Sequence, residues 1–216
     1  CAESLELIQP PVCPVCGLEQ ARDRLCYHCR SAPPAWSHLR SLARYKGALR
    51  LAIHSLKYRR NLGLAEALSR SLIHLYRSLS WNADLVVPVP LDLARMEERG
   101  YNQVSLLAIP LALALGLSYQ PQALKKVRPT PRQVTLSAAL RRSNLEGAFE
   151  ADPEQVKGKT VLLIDDVITT GTTMDSSSQA LRAAGASQIL ALTLARAGYN
   201  EDHSGLEHIE DSWQNQ

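Results

Sequence analysis

Residues 161–174 read VLLIDDVITTGTTM: an apolar run closed by two adjacent carboxylates and a threonine-rich turn around one glycine. The run from Thr160 to Ile164 predicts a parallel strand buried on both faces. Gly171 to Ala184 predicts a helix stopped at Gly185, and Gln188 to Leu194 a second strand. Strand, helix, strand at this spacing is a βαβ unit, which commits the chain to an α/β fold with a parallel sheet flanked by helices. Ligands of such sheets bind beyond the carboxyl ends of the strands, where Asp165 and Asp166 stand.

Two neighbouring carboxylates repel each other and need hydroxyls, cations or water as partners. Ribose 2′- and 3′-hydroxyls meet that need by donating to carboxylate oxygens. The turn Thr169-Thr170-Gly171-Thr172-Thr173 offers backbone N–H groups at a helix start, the helix dipole and several hydroxyls, which together make an anion site sized for a monophosphate. No Gly-Lys-Ser/Thr ending follows, which argues against a triphosphate P-loop. An acidic pair after a strand also occurs in Walker B segments and receiver domains, and Thr-Thr-Gly-Thr alone can be a plain helix cap. The contiguity of strand, Asp-Asp and Thr-Thr-Gly-Thr-Thr favours a ribose 5-phosphate site.

All five cysteines lie within the first 29 residues, four of them as Cys13-x2-Cys16-x9-Cys26-x2-Cys29. A disulfide framework would spread over the chain it staples, so thiols holding a metal in a reduced, cytoplasmic setting are the better reading. Two x2 pairs grip one ion tetrahedrally, with Zn²⁺ as the default and a rubredoxin-like iron site as the alternative. Cys1 has Ser4 where an x2 partner would stand, so a pair cut off upstream or a spare thiol is expected, and the start at Cys1 rather than Met points to missing upstream residues.

Residues 1–34 form the expected metal module, 38–197 the α/β domain, and the polar, acidic residues 198–216 a tail. From about Leu39 the pattern reads as helical, with Leu49, Ile53 and Leu56 and then Leu64, Leu68, Leu72 and Leu75 at helix spacing. Asp84 to Pro88 predicts a short buried strand, Asn102 to Leu115 a helix stopped by Gly116, and 118–150 a strand, a loop and a short helix at 135–144. The longest apolar stretch, Ile109 to Leu117, is too short to span a bilayer as a helix.

The segment from Val161 to Met174 resembles the PRPP-binding motif of type I phosphoribosyltransferases. The resemblance implies that Asp165 and Asp166 hold the ribose hydroxyls, that residues 169–173 hold the 5-phosphate, and that Mg²⁺ bridges pyrophosphate and ribose oxygens of PRPP. A wider resemblance runs through Pro88-Val89-Pro90-Leu91, Arg95, Arg99-Gly100-Tyr101-Asn102-Gln103, Arg128-x-Thr130-x-x-Gln133-x-x-Leu136, Arg141 to Asn144 and Gly147-Ala148-Phe149. These blocks are similar to the ComF family, amidophosphoribosyltransferase-like proteins with an N-terminal zinc module and a link to natural competence and DNA uptake. By position in that fold, Val89, Pro90, Arg95 and Arg99 are pyrophosphate-loop candidates. Arg128, Arg132 and Gln133 fall where the family's mobile catalytic loop lies.

The net charge of +3 is uneven: residues 1–60 carry 10 Lys/Arg against 4 Asp/Glu, and residues 151–216 carry 4 against 10. Arg44-Tyr45-Lys46 and Lys57-Tyr58-Arg59-Arg60 interleave rings and cations, the pattern of single-stranded DNA binding. The plain reading of the same residues is an amphipathic helix whose long cations reach out over its edges. Three functions follow: phosphoribosyl transfer from PRPP with release of pyrophosphate, a PRPP sensor without catalysis, and a DNA-uptake factor that works with the uptake machinery. No second domain for glutamine hydrolysis is visible.

Overall fold

The computed structural model describes residues 5–59, 61–128 and 147–198. Its centre is a five-stranded, all-parallel sheet in the order β1-β7-β6-β2-β3. The strands are β1 (His38–Arg44), β2 (Leu85–Pro88), β3 (Ser118–Tyr119), β6 (Thr160–Ile168) and β7 (Gln188–Arg196), and a separate antiparallel pair joins β4 (Leu124–Lys126) to β5 (Phe149–Ala151). The helices are α1 (Tyr27–Ser31), α2 (Gly47–Tyr58), α3 (Gly63–Arg77), α4 (Leu93–Arg99), α5 (Gln103–Leu115), α6 (Pro153–Val156) and α7 (Thr172–Ala183). Among the described residues no helix is long and apolar enough to cross a membrane.

Side chains alternate across a strand, and here the alternation sorts the core into two layers. Val161, Leu163, Ile189 and Ala191 face a layer that also holds Trp36, Leu39 and the four cysteines. Leu162, Ile164, Leu190 and Leu192 face the opposite layer, built with Leu49, Ile53 and Leu56 of α2 and Leu107 and Leu111 of α5. Burying each such large side chain stabilises the fold by about 1.5–3 kcal/mol, which explains why β6 is apolar from Val161 to Ile164 and β7 from Ile189 to Leu192.

Two expectations change. The pattern from Leu39 is first a strand: β1 alternates buried Leu39, Ser41 and Ala43 with exposed or half-buried neighbours, and pairs with β7 from His38↔Leu190 to Arg44↔Arg196. The helix begins only at Gly47. β6 runs on past Ile164, so Asp165 and Asp166 lie within its last turns of pleat and not after them. The expected helix at 135–144 falls outside the described residues. The helix expected from Asn102 is found as α5, with the Asn102 side chain accepting the Val104 N–H at 2.9 Å and Gly116 as its left-handed stop.

Residues 5–37 do not stand apart from the sheet. Leu39 donates its N–H to the Val15 carbonyl at 2.7 Å, Ile8 to Leu42 at 3.1 Å and Arg44 to Glu6 at 2.8 Å, so the segment covers the free edge of β1. Arg196 of β7 donates to the Cys16 carbonyl, and Arg40 of β1 to that of Pro14 at 3.0 Å. The cysteine cluster is thus docked on the sheet and shares one of its two core layers.

Candidate functional site

Period-two alternation has a direct consequence for the acidic pair: neighbours on a strand point to opposite faces. Asp166 continues the row of Leu162 and Ile164 toward α2 and α5, where it is 3% exposed. Its Oδ1 lies 3.0 Å from Lys57 Nζ, and its Oδ2 accepts the Gln103 amide N–H at 2.8 Å. Asp165 follows Val161 and Leu163 toward the layer that carries α7. Its Oδ1 accepts the Asp166 backbone N–H at 2.8 Å, and its other oxygen accepts from no described group.

The surroundings tune Asp165 and Lys57 differently. Burial, then the neighbouring Asp166 charge, pushes the Asp165 carboxyl up to about 7. For Lys57, burial works against the ammonium, but Asp166, with Tyr45 and Asp165, holds it above its ordinary value. Only a cation fixed against Asp166 makes a buried carboxylate tolerable at this depth.

The block Arg99-Gly100-Tyr101-Asn102-Gln103 serves that cation–carboxylate contact. Gln103 donates to Asp166 and accepts from Arg99 Nη1 at 2.9 Å. Arg99 is 8% exposed, donates through Nη2 to the Tyr58 hydroxyl at 3.2 Å and lies over that ring at 4.8 Å. Gly100 takes the left-handed turn, at φ 76°, that ends α4. Tyr101 donates to the Leu56 carbonyl, and Asn102 donates to the Val89 carbonyl at 3.0 Å. Arg99, Tyr101, Asn102 and Gln103 tie α2, α5 and the loop after β2 to the end of β6.

The threonine-rich loop Thr169–Thr173 leads into the start of α7. Gly171 is its N-cap at φ 82°, with no side chain capping the helix, so the N–H groups of Thr172, Thr173 and Met174 have no acceptor within it. The Thr170 and Thr172 hydroxyls are 2.8 Å apart and share one hydrogen bond. Asp175, the acid of the first turn, is committed elsewhere: its Oδ1 accepts the Ala35 N–H at 2.7 Å and its Oδ2 the Gln179 amide at 2.9 Å. The helix dipole and free N–H groups therefore face the space beside Asp165 without a competing carboxylate.

Beside β6, the loop after β2 begins with buried Val89, whose N–H donates to the Ile164 carbonyl at 2.9 Å, followed by half-buried Pro90. Arg95 is exposed and held by Asp92 at 3.7 Å, while Lys126 reaches the same Asp92 oxygen at 3.3 Å. Arg95 is exposed, whereas Arg99 is a buried brace for Gln103. Arg128 is exposed just after β4, and Arg132 and Gln133 lie outside the described residues.

The basic-aromatic patch divides. Lys57 belongs to Asp166, and Tyr45 packs on the α2 core layer. Arg44 is exposed but paired with Glu19 at 2.8 Å and Glu6 at 3.8 Å. Half-buried Lys46 and exposed Tyr58 and Arg59 remain near the surface, and Arg60 lies outside the described residues. Only a partner more than a hundred residues away, Asp166, distinguishes Lys57 from its surface neighbours, and nothing local in the sequence signals it.

The sulfurs of Cys13, Cys16, Cys26 and Cys29 all lie within 4.8 Å of one another and are buried. Tetrahedral zinc at Zn–S ≈ 2.3 Å requires S···S separations of about 3.8 Å, and Cys16 and Cys26 stand at 3.7 Å. The N–H groups of Cys26 and Cys29 donate to sulfurs of Cys13 and Cys26, each at 3.4 Å, as they would to thiolates. Burial pushes the Cys16 thiol up to about 11 and raises Cys29 as well, so thiolates at these two positions need a cation beside them. The donor set fits zinc.

Residues 57–215 match the phosphoribosyl transferase domain family. The chain belongs to that family. It is 39% identical over 191 residues to the DNA utilization protein YhgH of Salmonella typhimurium, spanning 86% of this chain and 84% of that protein. It is 33% identical over 195 residues to Competence protein F of Haemophilus influenzae (87% and 85% covered), and 25% identical over 209 residues to the competence protein ComFC of Bacillus subtilis (91% and 82%). The resemblance to the ComF family therefore stands. This phosphoribosyl transferase domain protein carries its matched family region almost entirely after α2, with Lys57 as the first matched residue.

Proposed function

We propose that this phosphoribosyl transferase domain protein binds PRPP with Mg²⁺ at the carboxyl edge of its sheet and transfers the phosphoribosyl group with release of pyrophosphate. The observation that carries the reading is the uncapped, glycine-started N-terminus of α7 beside a carboxylate with a free oxygen. The N–H groups and hydroxyls of Thr169–Thr173 bind the 5-phosphate, and the acidic pair holds the ribose. Mg²⁺ bound together with PRPP would supply positive charge beside its oxygens.

In the transfer, the bond from ribose C1 to the pyrophosphate oxygen breaks and its electron pair leaves with pyrophosphate. The acceptor's lone pair forms the new bond to C1, and the acceptor gives up its proton. The carboxylates stabilise the positive charge that develops at C1, and Arg95 with the Val89–Pro90 loop receives the leaving oxygens. The four cysteines hold structural zinc, and residues 1–34 and 38–197 serve as metal module and transferase domain of a cytoplasmic protein.

Calorimetry with PRPP·Mg²⁺ tests binding, and pyrophosphate release with ammonia, amines and nucleobases tests transfer. Binding without release under any acceptor favours a PRPP sensor. A second reading, handling of single-stranded DNA within an uptake machinery, draws on the names of the relatives and on exposed Tyr58 and Arg59.

A further inference from the structure

We propose that Lys57 is a positioning residue for the acidic pair: it anchors Asp166 from the α2 side and, through Asp166, sets the direction in which Asp165 meets the ribose of PRPP. The inference rests on the PRPP reading above and goes further by naming what holds the pair in place.

Three observations carry it. Both Asp166 oxygens are occupied, Oδ1 by Lys57 at 3.0 Å and Oδ2 by Gln103 at 2.8 Å, and the residue is 3% exposed. A carboxylate so enclosed is fixed in direction by its two partners. Asp165, by contrast, points to the face that bears α7 and keeps one oxygen free of described partners. Finally, the backbone N–H of Asp166 donates to Asp165 Oδ1 at 2.8 Å, so fixing Asp166 also fixes the direction of the Asp165 carboxylate.

Lys57 comes from α2, and its side chain is one-fifth exposed. A buried ion pair is by itself weak evidence for stability, since desolvation offsets the attraction. Its value here is geometric. With Gln103 braced by Arg99, and Arg99 by Tyr58, four residues from α2, α4 and α5 converge on one carboxylate at the end of β6. Lys57 acts on substrate through Asp166 and Asp165 without touching it.

The test is a double-mutant cycle read in PRPP·Mg²⁺ affinity of folded protein, with melting temperature recorded alongside. Lys57→Met is expected to weaken binding at least about tenfold, and Lys57→Arg to return it to within about threefold of wild type. Lys57→Met/Asp166→Asn is expected to bind no worse than Asp166→Asn alone, because the two residues act as one unit. Asp165→Asn should weaken binding on top of any of these. If Lys57→Met folds poorly because it strands a buried carboxylate, the double variant removes both charges and keeps the cycle readable against Asp166→Asn. A purely structural pair would shift the melting temperature and leave affinity at the wild-type value, which overturns the proposal, as do additive losses in the double variant. Wild type that does not bind PRPP·Mg²⁺ overturns the functional reading itself, and this inference with it.

Discussion

Trp36 Cη2 stands 3.1 Å from the point where a β-carbon on Gly171 would lie, so the indole forms the back wall of the loop around Gly171. The segment that leaves the cysteine cluster is clamped to α7 around it: Ala35 donates to Asp175, Arg182 donates to the Ala35 carbonyl, and Arg182 also reaches Ser37 Oγ at 3.3 Å. Trp36→Ala should destabilise the fold by about 3 kcal/mol through the cavity it leaves. It should also weaken PRPP·Mg²⁺ binding, with Trp36→Phe recovering most of both. Urea denaturation and calorimetry check the pair, and unchanged affinity in Trp36→Ala would mean that the loop keeps its shape without the indole.

Gly171 is constrained twice, by its φ of 82° and by that indole. A left-handed conformation costs a non-glycine residue about 1–2 kcal/mol, more for a β-branched one. Gly171→Val should therefore abolish PRPP binding while the far-ultraviolet circular dichroism keeps its native shape. Gly171→Ala should fall between. Wild-type affinity in the valine variant would remove the loop from the phosphate site.

How much of this was legible in the sequence depended on how local each signal was. β6, α7 and β7 were readable because a doubly buried parallel strand must be apolar at every position, and α5 because Asn102 and Gly116 mark its ends. β1 was not: HLRSLAR places two arginines and a histidine in seven residues. Its strand character lies in Leu39, Ser41 and Ala43, whose burial needs β7 and the covering N-terminal segment. The roles of Lys57 and Arg99 were equally hidden, since a cation folded inward onto a distant carboxylate reads, residue by residue, like one that faces solvent. The cysteine spacing disclosed the metal ligands but not that they share a core layer with Leu163 and Ile189.

That shared layer shapes the outcome of metal removal. Zinc should be bound at one ion per chain through Cys13, Cys16, Cys26 and Cys29, and Cys26→Ser should release it. Structural zinc contributes on the order of 10 kcal/mol to folding its own module. Loss of the ion should unfold the module and also expose amides of 35–37 and of α7 to hydrogen exchange, because Ala35 and Trp36 join the two. Elemental analysis that finds neither zinc nor iron in protein purified without chelator would refute the metal site. Protection of α7 unchanged by chelator would refute the connection.

Asp165 gives stability a pH dependence of defined sign. Its carboxyl is raised from 3.8 to about 7 by burial and by Asp166, with the Asp166 N–H and Lys57 pulling the other way. The folded state thus holds a proton that the unfolded chain has given up. The stabilisation from that proton is complete below about pH 4 and is lost as pH rises through about 7. Asp165→Asn carries no such charge, so its stability relative to wild type should increase from about pH 5 to about pH 8. Urea midpoints at the two values decide it, and a gap independent of pH would show that Asp165 does not titrate in this range.

Single-stranded DNA binding, if it accompanies the PRPP site, should fall steeply with salt, and the slope identifies the cations that take part. Each phosphate-bound cation contributes about −0.7 to the slope of log K against log salt for single strands. Arg59→Ala should flatten the slope by about that amount. Arg44→Ala should do less, because Glu19 and Glu6 already hold its guanidinium. Lys57→Met should leave the slope unchanged, because its ammonium lies on Asp166 and meets no phosphate. Tyr58→Ala should lower affinity with little change in slope, since stacking releases no counterion. The Arg99 guanidinium at 4.8 Å over the Tyr58 ring limits how much of it a base can cover, so the loss should be small. A Lys57→Met slope flattened as much as that of Arg59→Ala would put Lys57 on the DNA and take it away from Asp166. Undetectable binding at low salt would leave Tyr58 and Arg59 as the solvated edge of α2.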